Sequence, residues 1–229
     1  MADERATELA ETLAEVARSL QAEEGVQATL TRICELAVQT IDGCDHAGVS
    51  LIQGRTISTP AASDETPVAV DAIQYEANEG PCLMSIREHD TVLADDLATE
   101  ERWPRFAQRA VDETGVRSML SFRLFVQEGT MGALNLYSRK TEAFDEEAVT
   151  VGSVFAAHAA VALSHAQREA ELRTGMATRD VIGQAKGILM VRQGIGEDEA
   201  FELLRRASQR LNVKLRDIAE QMTKQVQGN

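Results

Sequence analysis

Cysteine is sparse in this chain of 229 residues: Cys34, Cys44 and Cys82 are the whole set, with no CxxC pair and no histidine at metal-ligand spacing. That excludes a disulfide framework and the common zinc patterns, and it suits a reducing compartment. No run of about 18 apolar residues occurs, and Met1 to Ala10 is acidic rather than a basic stretch leading into an apolar core. The expectation is a cytoplasmic protein with no membrane partner. Missing too are a nucleophile–base pair, a phosphate-cradling glycine loop and a metal cluster; Asp95-Asp96 with Glu100-Glu101 reads as a solvated loop, so no catalytic residue, cofactor or metal is assigned and the chain is not read as an enzyme. Positive charge is also short, 23 Lys and Arg against 37 Asp and Glu, a net −14 that argues against nucleic acid for the chain as a whole.

The deficit is unevenly spread. Residues 1–170 carry 13 basic and 29 acidic side chains (13 − 29 = −16), whereas 171–229 carry 10 and 8 (10 − 8 = +2). With 44% hydrophobic residues there is ample material for one medium domain and one small one. An acidic body would suppress non-specific attraction to nucleic acid, leaving only surfaces on the tail that are complementary in detail.

Along the chain, Leu9, Leu13, Val16 and Leu20 recur at helical spacing, and Leu30, Ile33, Cys34, Ala37 and Ile41 repeat the pattern, so two amphipathic helices come first. Cys34 falls on the apolar stripe and is expected buried; Cys44, in the polar turn IDGCDH, is expected exposed. From Ala47 the period becomes two: AGVSLI, a turn at Gln53-Gly54 and RTIST predict a hairpin. A polar loop, a short helix over DAIQYEAN, the stretch from Asn78 to Leu97, and a helical WPRFAQRAVDETG follow. SMLSFRLFV and MGALNLYS then form the strongest strand pair, turning at Gln127-Glu128-Gly129. A long helix opens at Asp145-Glu146-Glu147 and meets no proline. Helices, antiparallel strands and a closing helix predict an α+β sandwich.

The strand pair predicts a dry face of Leu120, Phe122, Leu124 and Val126 against the helices. Its other face carries Met119, Ser121, Arg123 and Phe125, with Ala133, Asn135 and Tyr137 alongside. Roofed by the Glu79–Asp96 region, Ser121, Arg123, Asn135 and Cys82 are candidates for a small-ligand pocket; a wet face with internal hydrogen bonds is the alternative. Cys82 is either a thiol sensor of lowered pKa or a buried apolar residue. His89 reads as a surface-loop residue and Trp103 as a loop anchor. On the long helix Val151, Phe155, His158, Ala162, His165 and Leu172 form a seam that outruns its domain and so predicts a parallel homodimer through this connecting helix, joined by the N-terminal one.

Past Arg179 three stripes fit three helices: Ile182, Ala185, Leu189; Phe201, Leu204, Ala207, Leu211; and Leu215, Ile218, Ala219, Met222. Gly194, Gly196 and Asn212 mark the breaks, and Glu197, Asp198 and Glu199 suit the start of the second helix. The helices carry basic side chains beside small ones, which points to nucleic acid or else to a solvated bundle.

AKGILM at 185–190, EAFELLRRAS at 199–208 and NVKLRDIAE at 212–220 closely resemble the ANTAR domain, a three-helix module of bacterial transcription antiterminators that binds paired stem-loops in mRNA leaders. NEGPC at 78–82, RWPRF at 102–106, GVRSMLSFRL at 115–124 and GALNLYS with AFDEE within 132–147 resemble a GAF domain, a sensory fold with many ligands. Together they imply a dimerising helix over 1–24, a GAF α+β sandwich over 25–165, a helical linker over 166–178 and an all-α ANTAR domain over 179–229. The implied function is RNA-binding antitermination by a homodimer on a dual stem-loop, under a GAF domain that takes an unidentified small molecule. The RNA residues so implied are Arg179, Gln184, Lys186, Arg192, Arg205, Arg206 and Lys214, with Ala185, Gly187 and Ala207 permitting close approach. A DNA-binding repressor with a small-ligand sensor is the alternative.

Overall fold

The computed structural model describes residues 2–88, 90–126 and 129–227, in two compact units, Met1–Gln167 and Arg168–Asn229. His89, Gln127 and Glu128 lie outside the described residues, and with them the reading of His89 and the first two positions of the strand turn.

In the first unit, α1 (Ala2–Gln21) and α2 (Val26–Thr40) precede the hairpin β1 (His46–Gln53) and β2 (Thr56–Ala62). Then come α3 (Glu65–Ala77), α4 (Pro81–Glu88), β3 (Val92–Ala94), a single 3₁₀ turn, α5 (Pro104–Thr114), β4 (Ser118–Val126) and β5 (Gly129–Ser138). The five strands form one antiparallel sheet in the order β2-β1-β5-β4-β3. The α+β sandwich expected from the periodicity is therefore what the chain forms. Asp64 caps α3 with its carboxylate on the Thr66 amide at 2.8 Å, so that helix starts six residues earlier than DAIQYEAN indicated. Neither α4 nor β3 was foreseen: each is too short to show a period.

One sheet face is dry. Leu120, Phe122, Leu124, Leu134, Leu136, Val49 and Leu51 pack with Leu30, Ile33 and Cys34 of α2 and with Phe155, Ala159 and Leu163 of α6 (Glu146–Gln193). The cover strip of α6 is mostly alanine, and at Gly152 a Cβ would lie 2.4 Å from Phe122 Cζ, so small residues are what let the helix approach the sheet. This strip divides the expected seam. Val151 and Phe155 are in the core, but His158, His165 and Leu172 are exposed, because the buried row runs through Ala159, Leu163 and Ala166 instead. An 18-residue window of α6 has mean hydropathy 1.4, enough to cross a bilayer by length and composition, and half of it is buried in the protein. Cys44 is another correction: it is buried, its Sγ donating to the His46 carbonyl at 3.3 Å.

The second unit holds the end of α6 with α7 (Glu197–Leu211) and α8 (Leu215–Gln227). Its core is Ala185 and Leu189, Ala200 and Leu204, Ile218 and Ala219. The helices stop where the sequence indicated: Gly194 (φ +67°) and Asn212 (φ +52°) are both left-handed, and the Asn212 amide donates to Ser208 O. Within α7 the expected apolar stripe holds at Leu204 and Ala207, but Ala200 and Leu203 take the places of Phe201 and Leu211. Ala200, Leu203, Leu204 and Ala207 face the core, while Phe201 and Leu211 are 39% and 57% exposed.

Candidate functional sites

The other sheet face is also buried, with polar Ser50, Ser121 and Asn135 beside Met119 and Tyr137 of a second apolar cluster, and α3 and α4 close over it. Asp71 of α3 is wholly buried at its centre, and among the described residues its hydrogen-bond partners are all neutral. Its carboxylate accepts from Tyr137 Oη at 2.6 Å, Thr59 Oγ1 at 2.7 Å, Gln74 Nε2 at 2.8 Å and Ser50 Oγ at 3.1 Å. Tyr75 Oη lies 2.8 Å from both Thr59 Oγ1 and Ser50 Oγ, and Asn135 Nδ2 donates to Ser50 Oγ at 2.9 Å. Gly80, at φ +125°, has no room for a Cβ beside Gln74, whose Oε1 accepts from the Cys82 amide at 3.0 Å. That contact ties the start of α4 to the nest.

Burial pushes the Asp71 carboxyl pKa up, against the lowering effect of its donors. Burial, then the nearby Asp71, also raises Tyr137 and Tyr75 and pushes the Cys82 thiol up to about 12. Cys82 donates its thiol to Ser50 Oγ at 3.3 Å. Of its two alternative roles, the low-pKa thiol is the one this environment opposes.

Of the four pocket candidates, Cys82, Ser121 and Asn135 are brought into this nest, all fully buried. Ser121 and Asn135 are cross-strand partners, and Ser121 Oγ and Asn135 Oδ1 have no hydrogen-bond partner among the described residues. A polar group of a small molecule set between them would complete both. Arg123 is turned elsewhere, its guanidinium 4.1 Å above the exposed Phe125 ring. The sequence reading missed Asp71, Ser50, Thr59 and Gln74. Strand alternation does place Ser50 with Asn135, but nothing local distinguishes Asp71 from a solvated helical carboxylate.

On the outside of α6, Ala157 and Val161, the latter 66% exposed, form a ridge between two grooves. One, about 390 Å³, is walled by Leu20 of α1 and by His158 and His165; the other, about 470 Å³, by Phe122, Arg123 and Phe125.

In the second unit the ten RNA candidates separate. Ala185 is fully buried in the core and Ala207 is half-buried against it, where their small side chains let the helices approach closely. Lys186 Nζ binds Glu197 Oε1 at 2.5 Å, bridging α6 to the first turn of α7, and holds that carboxyl below its usual range. Arg205 is held by Glu202 at 2.8 Å. Arg179, Gln184, Gly187, Arg192, Arg206 and Lys214 are exposed. Helical spacing sorts them: Arg179 is on the Lys186 flank of α6, seven residues before it, whereas Arg206 is about 140° round α7 from Phe201. No group of His, Cys, Asp and Glu able to hold a metal occurs among the described residues.

A GAF domain model matches residues 23–164 and an ANTAR domain model residues 170–222. No curated relative matches the sequence. Among solved structures, the GAF domain of an Acinetobacter phosphoenolpyruvate-protein phosphotransferase aligns at TM-score 0.56 with 14% identity, over 71% of this chain and 97% of that one. Free methionine-R-sulfoxide reductase from Neisseria meningitidis aligns at 0.56 with 15% identity, over 72% and 93%. The bacteriophytochrome RpBphP3 from R. palustris aligns at 0.59 with 10% identity, over 79% and 42%. At these identities the likeness is one of fold.

Proposed function

The chain belongs to the GAF domain family and carries an ANTAR domain behind it, and from that premise we propose that it is a cytoplasmic transcription antitermination regulator working as a homodimer on paired stem-loops of an mRNA leader. ANTAR domains are RNA-binding antitermination modules and GAF domains are sensors, so the chain is a regulator rather than an enzyme. The observation that carries the reading is an ANTAR domain on the one segment with a positive balance, in a chain otherwise strongly acidic.

Dimerisation draws support from the ridge on α6. Val154, Val161, Leu172 and Met176 are exposed apolar residues on one helix, and a ridge with a groove on each side is self-complementary: the Val161 ridge of a second copy fits the groove of the first. Two modules carried by one dimer meet a second hairpin at high effective concentration once the first is bound, which favours paired over single stem-loops. The nest beneath α4 is the input. A small polar ligand satisfying Ser121 and Asn135 would stiffen the α4 roof.

The test is binding of the full chain to a dual stem-loop, a single stem-loop and duplex DNA, with and without Arg179→Ala plus Arg205→Ala. Preference for the dual hairpin, lost in the double variant, is the expected outcome. Equal binding to all three that vanishes with modest salt refutes it, and preference for the duplex favours the DNA-binding repressor.

A further inference from the structure

Phe201 is the one aromatic residue in 168–229, yet it is outside that unit's core and 39% exposed. Burying a ring is worth more than burying the alanine beside it, so a bundle held together only by its own core would turn the ring inward and Ala200 outward. The opposite arrangement leaves the largest apolar side chain of the unit at the surface.

Its surroundings are charged. Glu197, Phe201 and Arg205 follow one another at four-residue spacing along one flank of α7, and Arg179, Gly183, Lys186 and Met190 follow at four-three-four spacing along one flank of α6. The Lys186–Glu197 bridge fixes both flanks to the same side of the helix pair. The resulting face has Phe201 and the 36%-exposed Met190 as its apolar part, with Arg179, Lys186 and Arg205 around them. At Gly183 a Cβ would meet nothing within 4 Å, so on α6 this face is low and open.

We propose that Phe201 is a stacking platform for an unpaired RNA base, with Arg179, Lys186 and Arg205 meeting the phosphates on either side of it. This rests on the RNA-binding reading above and adds to it a part of the RNA: an unstacked loop base rather than the stem. A planar base wants an exposed ring, its neighbouring phosphates want cations, and here the two occur on one face. A purely apolar protein partner has no use for the encircling charge. The regular stem offers phosphates but no free base face, so it would engage the cations and leave the ring idle.

The experiment measures full-chain binding to a dual stem-loop, across a salt series, for wild type, Phe201→Ala, Phe201→Tyr and Arg205→Ala, with 2-aminopurine placed in the loop as a stacking reporter. Phe201→Ala should weaken binding about 5- to 150-fold, leave the salt slope unchanged and abolish 2-aminopurine quenching, while Phe201→Tyr keeps wild-type affinity. Arg205→Ala should instead lower the salt slope by about one. Phe201→Ala bound as tightly as wild type overturns the stacking role and leaves the RNA-binding reading standing. A lost affinity matched by loss of the dimer in light scattering overturns it in favour of a second copy as the occupant. If wild type itself does not bind the hairpins, both readings fall.

Discussion

Replacing Asp71 tests whether the polar face of the sheet is held together by one carboxylate. Asp71→Ala removes the acceptor of Tyr137 Oη and Gln74 Nε2, both fully buried and neither with another acceptor among the described residues, while Thr59 and Ser50 retain Tyr75. Two stranded donors at about 1–3 kcal/mol each set the loss of stability at about 2–6 kcal/mol. Asp71→Asn keeps one oxygen for Tyr137 and Gln74 and turns an amide toward hydroxyls that can rotate to accept, so it should cost under about 1 kcal/mol. The two also differ in pH dependence. Because burial raises the Asp71 pKa, the folded chain holds that proton more tightly than the unfolded one. The contribution is full below about pH 4, the ordinary aspartate value, and is lost as pH rises through the higher folded value. Urea denaturation followed by circular dichroism from pH 4 to pH 8 reads both effects. Asp71→Ala within about 1 kcal/mol of wild type, or Asp71→Asn tracking the wild-type pH profile, would refute the reasoning.

Two further outcomes follow from the same geometry. Glu197→Gln releases Lys186 from its ion pair, so hairpin affinity should rise at low salt and the gain should vanish at high salt, as a binding titration will show. Burial pushes the Cys34, Cys44 and Cys82 thiols each to about 12, so a thiol reagent at pH 8 should label none of them in the native chain and all three in denaturant. Fast native labelling of Cys82 would mean that α4 lifts on its own.

Long periodic segments carried most of the fold in the sequence. The alternation of 118–126 set Ser121 opposite Asn135 and Leu120, Phe122 and Leu124 on the dry face, because one face of a sheet must be buried and the register follows. What stayed hidden depends on contacts distant in sequence. Asp71 is ordinary until Tyr137, 66 residues away, donates to it. Parts of the α6 and α7 stripes were misplaced because runs such as Ala156, Ala157, Ala159 and Ala160, or Ala200 beside Phe201, allow more than one face to be the buried one. Only the packing partner decides. Charge misled in a similar way: Lys186 looked like a free cation, and its partner Glu197 lies beyond a turn.

The nest around Asp71 also says how this family of sequences is free to drift. Ser50, Thr59, Asp71, Gln74, Asn135 and Tyr137 come from four separate elements and complete one another's hydrogen bonds. Replacing any one alone by an apolar residue strands its neighbours, while replacing two in step need not, which is the condition for strong non-additive coupling. Across related chains these positions should therefore exchange as a set, hydroxyl for amide and acid for neutral together. The leucines on the opposite face, bound only by shape and volume, are free to vary one at a time.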